Sequence, residues 1–592
     1  MSESTTNTND WLKSRPLYQS FCAGANIFAG EYPGDKDPDT ARGKIKGMIS
    51  FGITHFVDLT EPGELSPYRQ FLPPQVNYCR FPVQDLNAPK STVETYRLIQ
   101  KIDRWSREQG NKVYIHCWGG VGRTGTMVAC LLATHNNNNP SMDEILDTLR
   151  KCAAEMPKSA HRKMPESQEQ YDFIRQFMED LPKLKKDYAI NLQDRSRGCL
   201  MGGAAGDALG YPVEFMSAHS ILAKYGEPGI TRFEMDPYSG KTLVSDDTQM
   251  TLFTANGILM DVTRGAMRGI GGYPPHYVDG AYLDWYYTQT GRKKPDSIDF
   301  HYTWLRDLPE LAHQRAPGNT CLSACESLLQ GTKVKNNSKG CGGIMRVAPM
   351  GILYAGYDMR GFWRRYNPDS SLESGGEIAA VTHKHPLAII PSGMLACLVY
   401  EACMHPTDEA ITDFRKLVWS CMERAKKIYS DSRFPQKDEF APNLPVMERL
   451  TVTALNLAEN QSISDSEAIR NLGEGWTGEE AWAIAVFCAY RHIDDPLAAL
   501  IAAVNHDGDS DSTGAITGNI MGAIYGYEVL SDRLAPMCPY GRTLYDTLEL
   551  SSLTLTLADD LATGCIIGEY EEMDTPEKNS WYKRYCEMIP AF

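Results

Sequence analysis

The stretch His116-Cys117-Trp118-Gly119-Gly120-Val121-Gly122-Arg123-Thr124 decides the fold of the first third of the chain. It follows a strand-like run, Lys112 to Cys117 (KVYIHC). It precedes a helical run, Thr124 to His135, that stops at Asn136 to Asn139 and Pro140. Three glycines between a strand and a helix let the backbone curl, so that Trp118, Gly119, Gly120, Val121 and Gly122 can turn N–H groups inward. The helix start adds the positive end of its dipole, and together they make an anion cradle. The same field favours the thiolate of Cys117, the nucleophilic form. Arg123 can grip two phosphate oxygens at once. Thr124 is placed to hydrogen-bond the sulfur and help it leave. A leaving alkoxide needs a proton, and Asp85, in the proline-flanked run Phe81 to Pro89, is the candidate donor.

Outward from this loop, His55 to Leu59 reads as a second strand. Ser141 to Cys152 reads as a helix capped by Ser141, and Ser167 to Leu181 as another with Tyr171, Ile174 and Phe177 on one face. Strands alternating with helices predict an α/β domain, a central sheet flanked by helices. Residues 1 to about 15 are polar and expected to be disordered, with no signal-peptide pattern. A lysine-rich stretch puts the boundary near Lys186, so the expected domains are 15–185 and 195–575. Beyond the boundary helical patterns rich in Ala, Leu, Met and Gly predict an all-α domain without a fixed-period repeat.

A length of 592 residues calls for at least two cores. The net charge of −16 argues against non-specific nucleic-acid binding, leaving nucleic acid only as a modified substrate. Sixteen cysteines without a zinc-spaced pair point to a reducing, cytoplasmic setting. The apolar run Pro386 to Cys403 is broken by Pro391, Ser392 and Gly393, so a buried helix is expected and no membrane contact.

Two acidic clusters stand far apart in the second part: Ser245-Asp246-Asp247-Thr248-Gln249-Met250, and His506 to Gly514 (HDGDSDSTG). Each precedes a helical run. Carboxylates mixed with hydroxyls suit hard cations such as Mg²⁺ or Mn²⁺. An EF-hand is excluded, because its sixth and twelfth positions hold Ser512 and Gly518 instead of glycine and glutamate. The run Arg197 to Gly210 is rich in small residues that permit close helix packing, and it leads to Glu214. Its glycines do not follow a strand, which argues against a dinucleotide fold.

The HCWGGVGRTG run, Asp85 and the stretch Pro165-Glu166-Ser167 to Gln170 resemble the protein tyrosine and dual-specificity phosphatases over roughly residues 15 to 180. That resemblance implies Cys117 as nucleophile, Arg123 and the loop as phosphate binders, Asp85 as acid, Gln170 near the hydrolytic water, and a phosphorylated substrate. Four separated motifs resemble the ADP-ribosylglycohydrolases over about residues 195 to 570. They are GCLMGGAAGDALGYPVE, SDDTQM, Ser338 to Gly351 (SKGCGGIMRVAPMG) and GDSDSTGAITGN.

This second resemblance implies two Mg²⁺ or Mn²⁺ ions held by Ser245, Asp246, Asp247, Asp509, Asp511 and Ser512. It also implies Glu214 at the scissile bond, and a ribose and phosphate pocket lined by Ser338, Gly340, Cys341, Gly342, Gly343 and Met345. The implied substrate is an ADP-ribosylated protein or small molecule. Asp507 and Cys341 depart from the family pattern, and His383 and His385 either approach the substrate or serve the structure. The two resemblances together imply a bifunctional hydrolase. The alternatives are a hydrolase whose phosphatase-like domain recruits phosphorylated partners, or a hydrolase of another ribosylated molecule.

Overall fold

The structure is a computed structural model that describes residues 15–73, 75–107, 110–136, 140–187, 191–269, 274–292, 302–362, 366–568 and 573–587. Most of the leader read as disordered lies outside these residues. The chain divides into two compact units, Met1–Ala189 and Ile190–Phe592.

The first unit is a small α/β domain built on five strands: β1 (Ser20–Gly24), β2 (Ile27–Gly30), β3 (His55–Asp58), β4 (Asn77–Arg80) and β5 (Val113–His116). Their order is β1-β2-β5-β3-β4, with β1 antiparallel to β2 and the other pairs parallel. Period-two alternation assigns the faces. Phe28, Phe56 and Tyr114 point to one side, where α1 (Pro38–Phe51) places Ile45 and Met48. Ala29, Val57, Val113 and Ile115 point to the other, packed by α2 (Thr92–Arg107), α3 (Gly122–His135), α4 (Met142–Ala153) and α5 (Gln168–Asp187). A strand buried on both faces reads as a continuous apolar run, as VYI does. Ser141 closes a capping box with Glu144 at the start of α4. Ile174 and Phe177 on α5 are fully buried and Tyr171 packs beside them.

The second unit is largely helical. Its centre is a pair of antiparallel helices that lie far apart in sequence, the first being α6 (Leu192–Gly210). The chain then passes through α7 (Ala218–Tyr225), α8 (Asp246–Arg268) and α9 (Pro386–Met404), among other helices, before it reaches the partner, α10 (Ser510–Tyr525). Gly198, Gly202, Gly206 and Gly210 recur every fourth residue on α6 and so share one face. They meet Gly522, Gly518, Gly514 and Ser510 of α10 in reverse order. A Cβ on any of these four α6 glycines would overlap the facing backbone carbonyl. The two backbones therefore touch directly, at a spacing that larger residues forbid.

All nineteen residues of α9 are buried, and among the described residues it is the one helix long and apolar enough to cross a membrane. The buried helix expected from this run is present, with Pro391 inside it. The helix runs through it, and the Ser392 hydroxyl donates to the Ala388 carbonyl at 2.6 Å one turn back.

Gly518→Val is expected to destabilise the second unit by about 3 kcal/mol, because backbone faces it on all contact sides and no side chain can swing away. Chemical denaturation followed by circular dichroism would read this. A wild-type midpoint for the helical transition would refute the direct backbone contact.

Candidate active sites

The first site lies at the C-terminal end of β5, where a parallel sheet opens its crevice. The chain leaves the strand at Cys117, curls through Trp118 to Val121, and enters α3 at Gly122, two residues before the expected start. Gly120 takes φ +77°, and a side chain there would collide with the Gly30 backbone. Its N–H points back at Cys117 Sγ, 3.3 Å away. The Thr124 hydroxyl is fully buried and has no hydrogen-bond partner. The neighbouring thiol Cys130 is a core residue whose titration burial pushes far up.

Arg123 is buried and held by oxygens. Its Nη atoms donate to both Glu64 carboxylate oxygens at 2.6 and 2.8 Å and to the Val83 carbonyl at 2.8 Å. Asp85 completes the set, 2.9 Å from Nη2, with its side chain half exposed. Gln170 is fully buried against the loop, close to where a Gly122 side chain would sit, and donates to the Asn87 carbonyl at 3.2 Å. His116, just before the nucleophile candidate, is buried, with Nε2 2.7 Å from the Tyr68 hydroxyl. Burial pushes His116 down to about 4, against the pull of Asp58.

The second site gathers around the α6–α10 pair. Asp207, on α6, is buried and binds the start of α8: it accepts from the N–H of Ser245 at 2.9 Å, from the N–H of Thr248 at 3.0 Å, and from the Thr248 hydroxyl. Ser245 caps α8 by accepting from the Asp247 N–H at 3.1 Å. At the start of α10, Asp509 accepts from the Ser512 N–H at 3.2 Å, and Asp511 accepts from the same N–H at 2.9 Å. Glu214 follows the end of α6.

These carboxyl groups feel one another. Burial, then Asp509, Asp246 and Asp207, push Glu214 up to about 8. Burial leads in raising Asp246 to about 8 and Asp207 to about 6, and it raises Asp247 and Asp511 well above the carboxylate range. Asp247 Oδ2 and Glu214 Oε2 are buried with no hydrogen-bond partner. Among the described residues no three His, Cys, Asp or Glu side chains are already arranged to hold an ion. The donor set thus converges without closing into a cage.

A family model described as ADP-ribosylglycohydrolase matches residues 189–567. This chain belongs to the ADP-ribosylglycohydrolase family. A second family model, Swiss Army Knife protein, DSP-PTPase phosphatase domain, matches residues 37–176. An uncharacterised protein of Archaeoglobus fulgidus is 27% identical over 340 residues, which cover 56% of this chain and 88% of that protein. The mouse ADP-ribosylhydrolase ARH3 is 22% identical, over 58% of this chain and 87% of its own length. Protein 067L of Invertebrate iridescent virus 3, named as a tyrosine phosphatase, is 34% identical over 124 residues, 20% of this chain and 47% of that protein. The chain therefore carries a hydrolase domain of each family.

In this ADP-ribosylglycohydrolase the Ser338–Met345 loop packs against the acidic site. The Cys341 thiol donates to Asp509 Oδ2 at 2.7 Å, and the Met345 sulfur lies 4.0 Å from the Ser512 hydroxyl. The Ser338 hydroxyl accepts from the Gly340 N–H at 3.3 Å and fixes the loop's turn. Gly342 and Gly343 face inward onto His383 and Ala379, which a side chain would crowd. His383 thus stands behind the loop, buried, and burial pushes it down to about 3. His385 caps α9 by accepting from the Leu387 N–H at 3.0 Å. Asp507 binds the Ala218 N–H at 2.8 Å and so holds the start of α7. These three residues support elements that frame the site.

Sequence reading missed Asp207 and Glu64. Asp207 had a signal: it is the lone charge in the small-residue run Gly198 to Gly210. Glu64 had none, since it sits in an irregular loop far from Arg123 in sequence.

The two buried histidines of the sheet make the first unit acid-sensitive. His55, like His116, is lowered by burial from 6.5 to about 4. Below 6.5 the unfolded chain binds protons that the folded one refuses, so stability falls as pH drops from 6.5 towards 4. Hydrogen exchange of peptides covering 55–59 and 112–117, corrected for intrinsic rates, should lose protection between pH 7 and pH 5. Unchanged protection would contradict the assignment.

Proposed function

We propose that this protein is a bifunctional hydrolase: its second unit releases ADP-ribose from a modified protein or small molecule, and its first hydrolyses a phosphate monoester. The observation that carries the first half is the convergence of buried carboxyl groups from α6, α8 and α10, two of whose oxygens have no partner. Such a set is costly without a cation, and its all-oxygen donors fit Mg²⁺, with Mn²⁺ acceptable to the same groups. Ser245, Asp246, Asp247, Asp509, Asp511 and Ser512 would hold two ions, which when bound supply charge to orient ribose hydroxyls and water. Glu214 offers a free carboxylate oxygen at the end of α6 to pass a proton at the glycosidic atom. The loop containing Ser338, Gly340, Cys341, Gly342, Gly343 and Met345 would bind the ribose and phosphates. The name of the mouse relative supports this reading.

In the first unit Cys117 Sγ would attack phosphorus, forming an S–P bond as the ester P–O bond breaks and Asp85 gives its proton to the leaving oxygen. Arg123 and the N–H groups of Trp118 to Gly122 would hold the phosphoryl oxygens. The unpartnered Thr124 hydroxyl would stabilise the thiolate as water, placed by Gln170, cleaves the intermediate. One observation favours a second reading: Glu64 and Asp85 occupy Arg123 on both sides. A first unit that exchanges these carboxylates for a phosphate could recruit phosphorylated partners without turning them over. Sixteen free cysteines, most of them buried, support a cytoplasmic setting.

Cys117→Ser is expected to abolish turnover of p-nitrophenyl phosphate while leaving ADP-ribose release intact. Turnover that persists would refute the nucleophile, and a wild-type chain that binds phosphopeptide without turnover would favour recruitment. Asp511→Asn is expected to cut Mg²⁺-dependent ADP-ribose release by at least about a hundredfold. Release that is undiminished, or indifferent to chelation of divalent ions, would sink the metal assignment.

A further inference from the structure

Phe215 follows Glu214 and leaves 76% of its surface in solvent. Trp476, also exposed, stacks beside it with ring centroids 5.8 Å apart and planes 20° from parallel. Single exposed aromatics are ordinary, but a stacked exposed pair beside a buried acidic site is not explained by core packing.

The pair is pinned to that site from both ends. Phe215 is one residue from the carboxyl group at the glycosidic atom. The Trp476 carbonyl accepts from the Cys341 N–H at 3.1 Å, and the Cys341 thiol in turn holds Asp509. Its neighbour Gly475 lies against Asp509 and Thr513, and the Glu474 carbonyl accepts from the Asp509 N–H at 2.8 Å. The rings are too close to admit a third between them, which needs about 7 Å. What they offer a ligand is their outer face.

From this geometry we infer that Phe215 and Trp476 form an aromatic lip that stacks against the group leaving from the ribose, making the hydrolase selective for flat leaving groups. The inference rests on the ADP-ribosyl hydrolase reading above. In that reading Glu214 serves the glycosidic atom, and the inference puts the exposed ring of Phe215, next in the chain, on the leaving side of the bond. A flat group, whether a guanidine or a nucleobase, gains stacking on the lip. If it is cationic, the ring faces add attraction. A serine-type alkyl oxygen has no plane to stack and gains little.

The test compares wild type with Phe215→Ala, Trp476→Ala and the conservative Phe215→Tyr on three substrates in Mg²⁺. These are ADP-ribosyl-agmatine, an ADP-ribosylated thymine nucleoside, and a peptide ADP-ribosylated on serine. Both alanine variants should lower kcat/KM for at least one flat substrate roughly tenfold more than for the serine peptide, chiefly through KM, and Phe215→Tyr should restore it. The two flat arms tell guanidine from base. Equal losses on all three substrates, or no loss on any, would overturn the lip. If wild type releases ADP-ribose from none of them, the hydrolase reading fails separately. The lip is then judged by calorimetric titration with agmatine and thymidine: binding weakened by Phe215→Ala supports it, and unaltered or absent binding overturns it.

Discussion

The second unit depends on backbone touching backbone. Where α6 and α10 cross, glycine faces glycine over three successive turns and Gly210 meets Ser510. Most helix pairs are held 8–10 Å apart by their side chains. Here the side chains are missing, so the two helices close on each other and the residues at their ends come into range. Asp207 arrives on α6 and Glu214 just after it, while Asp511 and Ser512 arrive on α10 with Asp509 as its cap. The antiparallel direction matters as much as the closeness, because it brings the C-terminal end of α6 to the N-terminal end of α10.

That N-terminal end, like the start of α8, carries unsatisfied N–H groups and a partial positive charge. Both favour carboxylates, and the protein uses them: Ser245 and Asp207 cap α8, and Asp509 caps α10. Capping and cation binding are therefore compatible roles for one cluster. What capping leaves over is informative. Asp247 Oδ2 and Glu214 Oε2 stay buried and unpaired, a cost that a purely structural cluster would relieve.

The first unit solves a similar problem with different parts. A parallel sheet ends, a loop curls, and a helix begins, so N–H groups and a dipole gather around Cys117. Arg123 brings a buried positive charge, with Glu64 and Asp85 as partners. The end of the same loop lies against the Glu166 carboxylate and the Gln170 amide, which would have to shift for a side chain at Gly122. Gly120 in the first unit and the α6 glycines in the second stand where one backbone meets another directly.

Much of this was written locally. The order strand, glycine loop, helix around Cys117, the hydroxyl and carboxylate caps before α8 and α10, and the apolar run of α9 are short-range patterns, and sequence alone determined them, because propensity, periodicity and capping act within a few residues. Tertiary structure alone decided the rest. Whether Pro391 ends a helix depends on the burial around it, and here α9 continues. The partners of Asp207 and Glu64 lie 38 and 59 residues away. Asp507 stands next to the expected pocket, and sequence left His383 and His385 open between substrate contact and a structural role; their neighbours in space are a helix start, a loop back and a helix cap. The pairing of Phe215 with Trp476 joins positions 261 residues apart, and no local rule reaches that far. Chemistry-bearing residue types were legible in the chain. Which of their atoms are buried, paired or left free was set only when distant segments packed against one another.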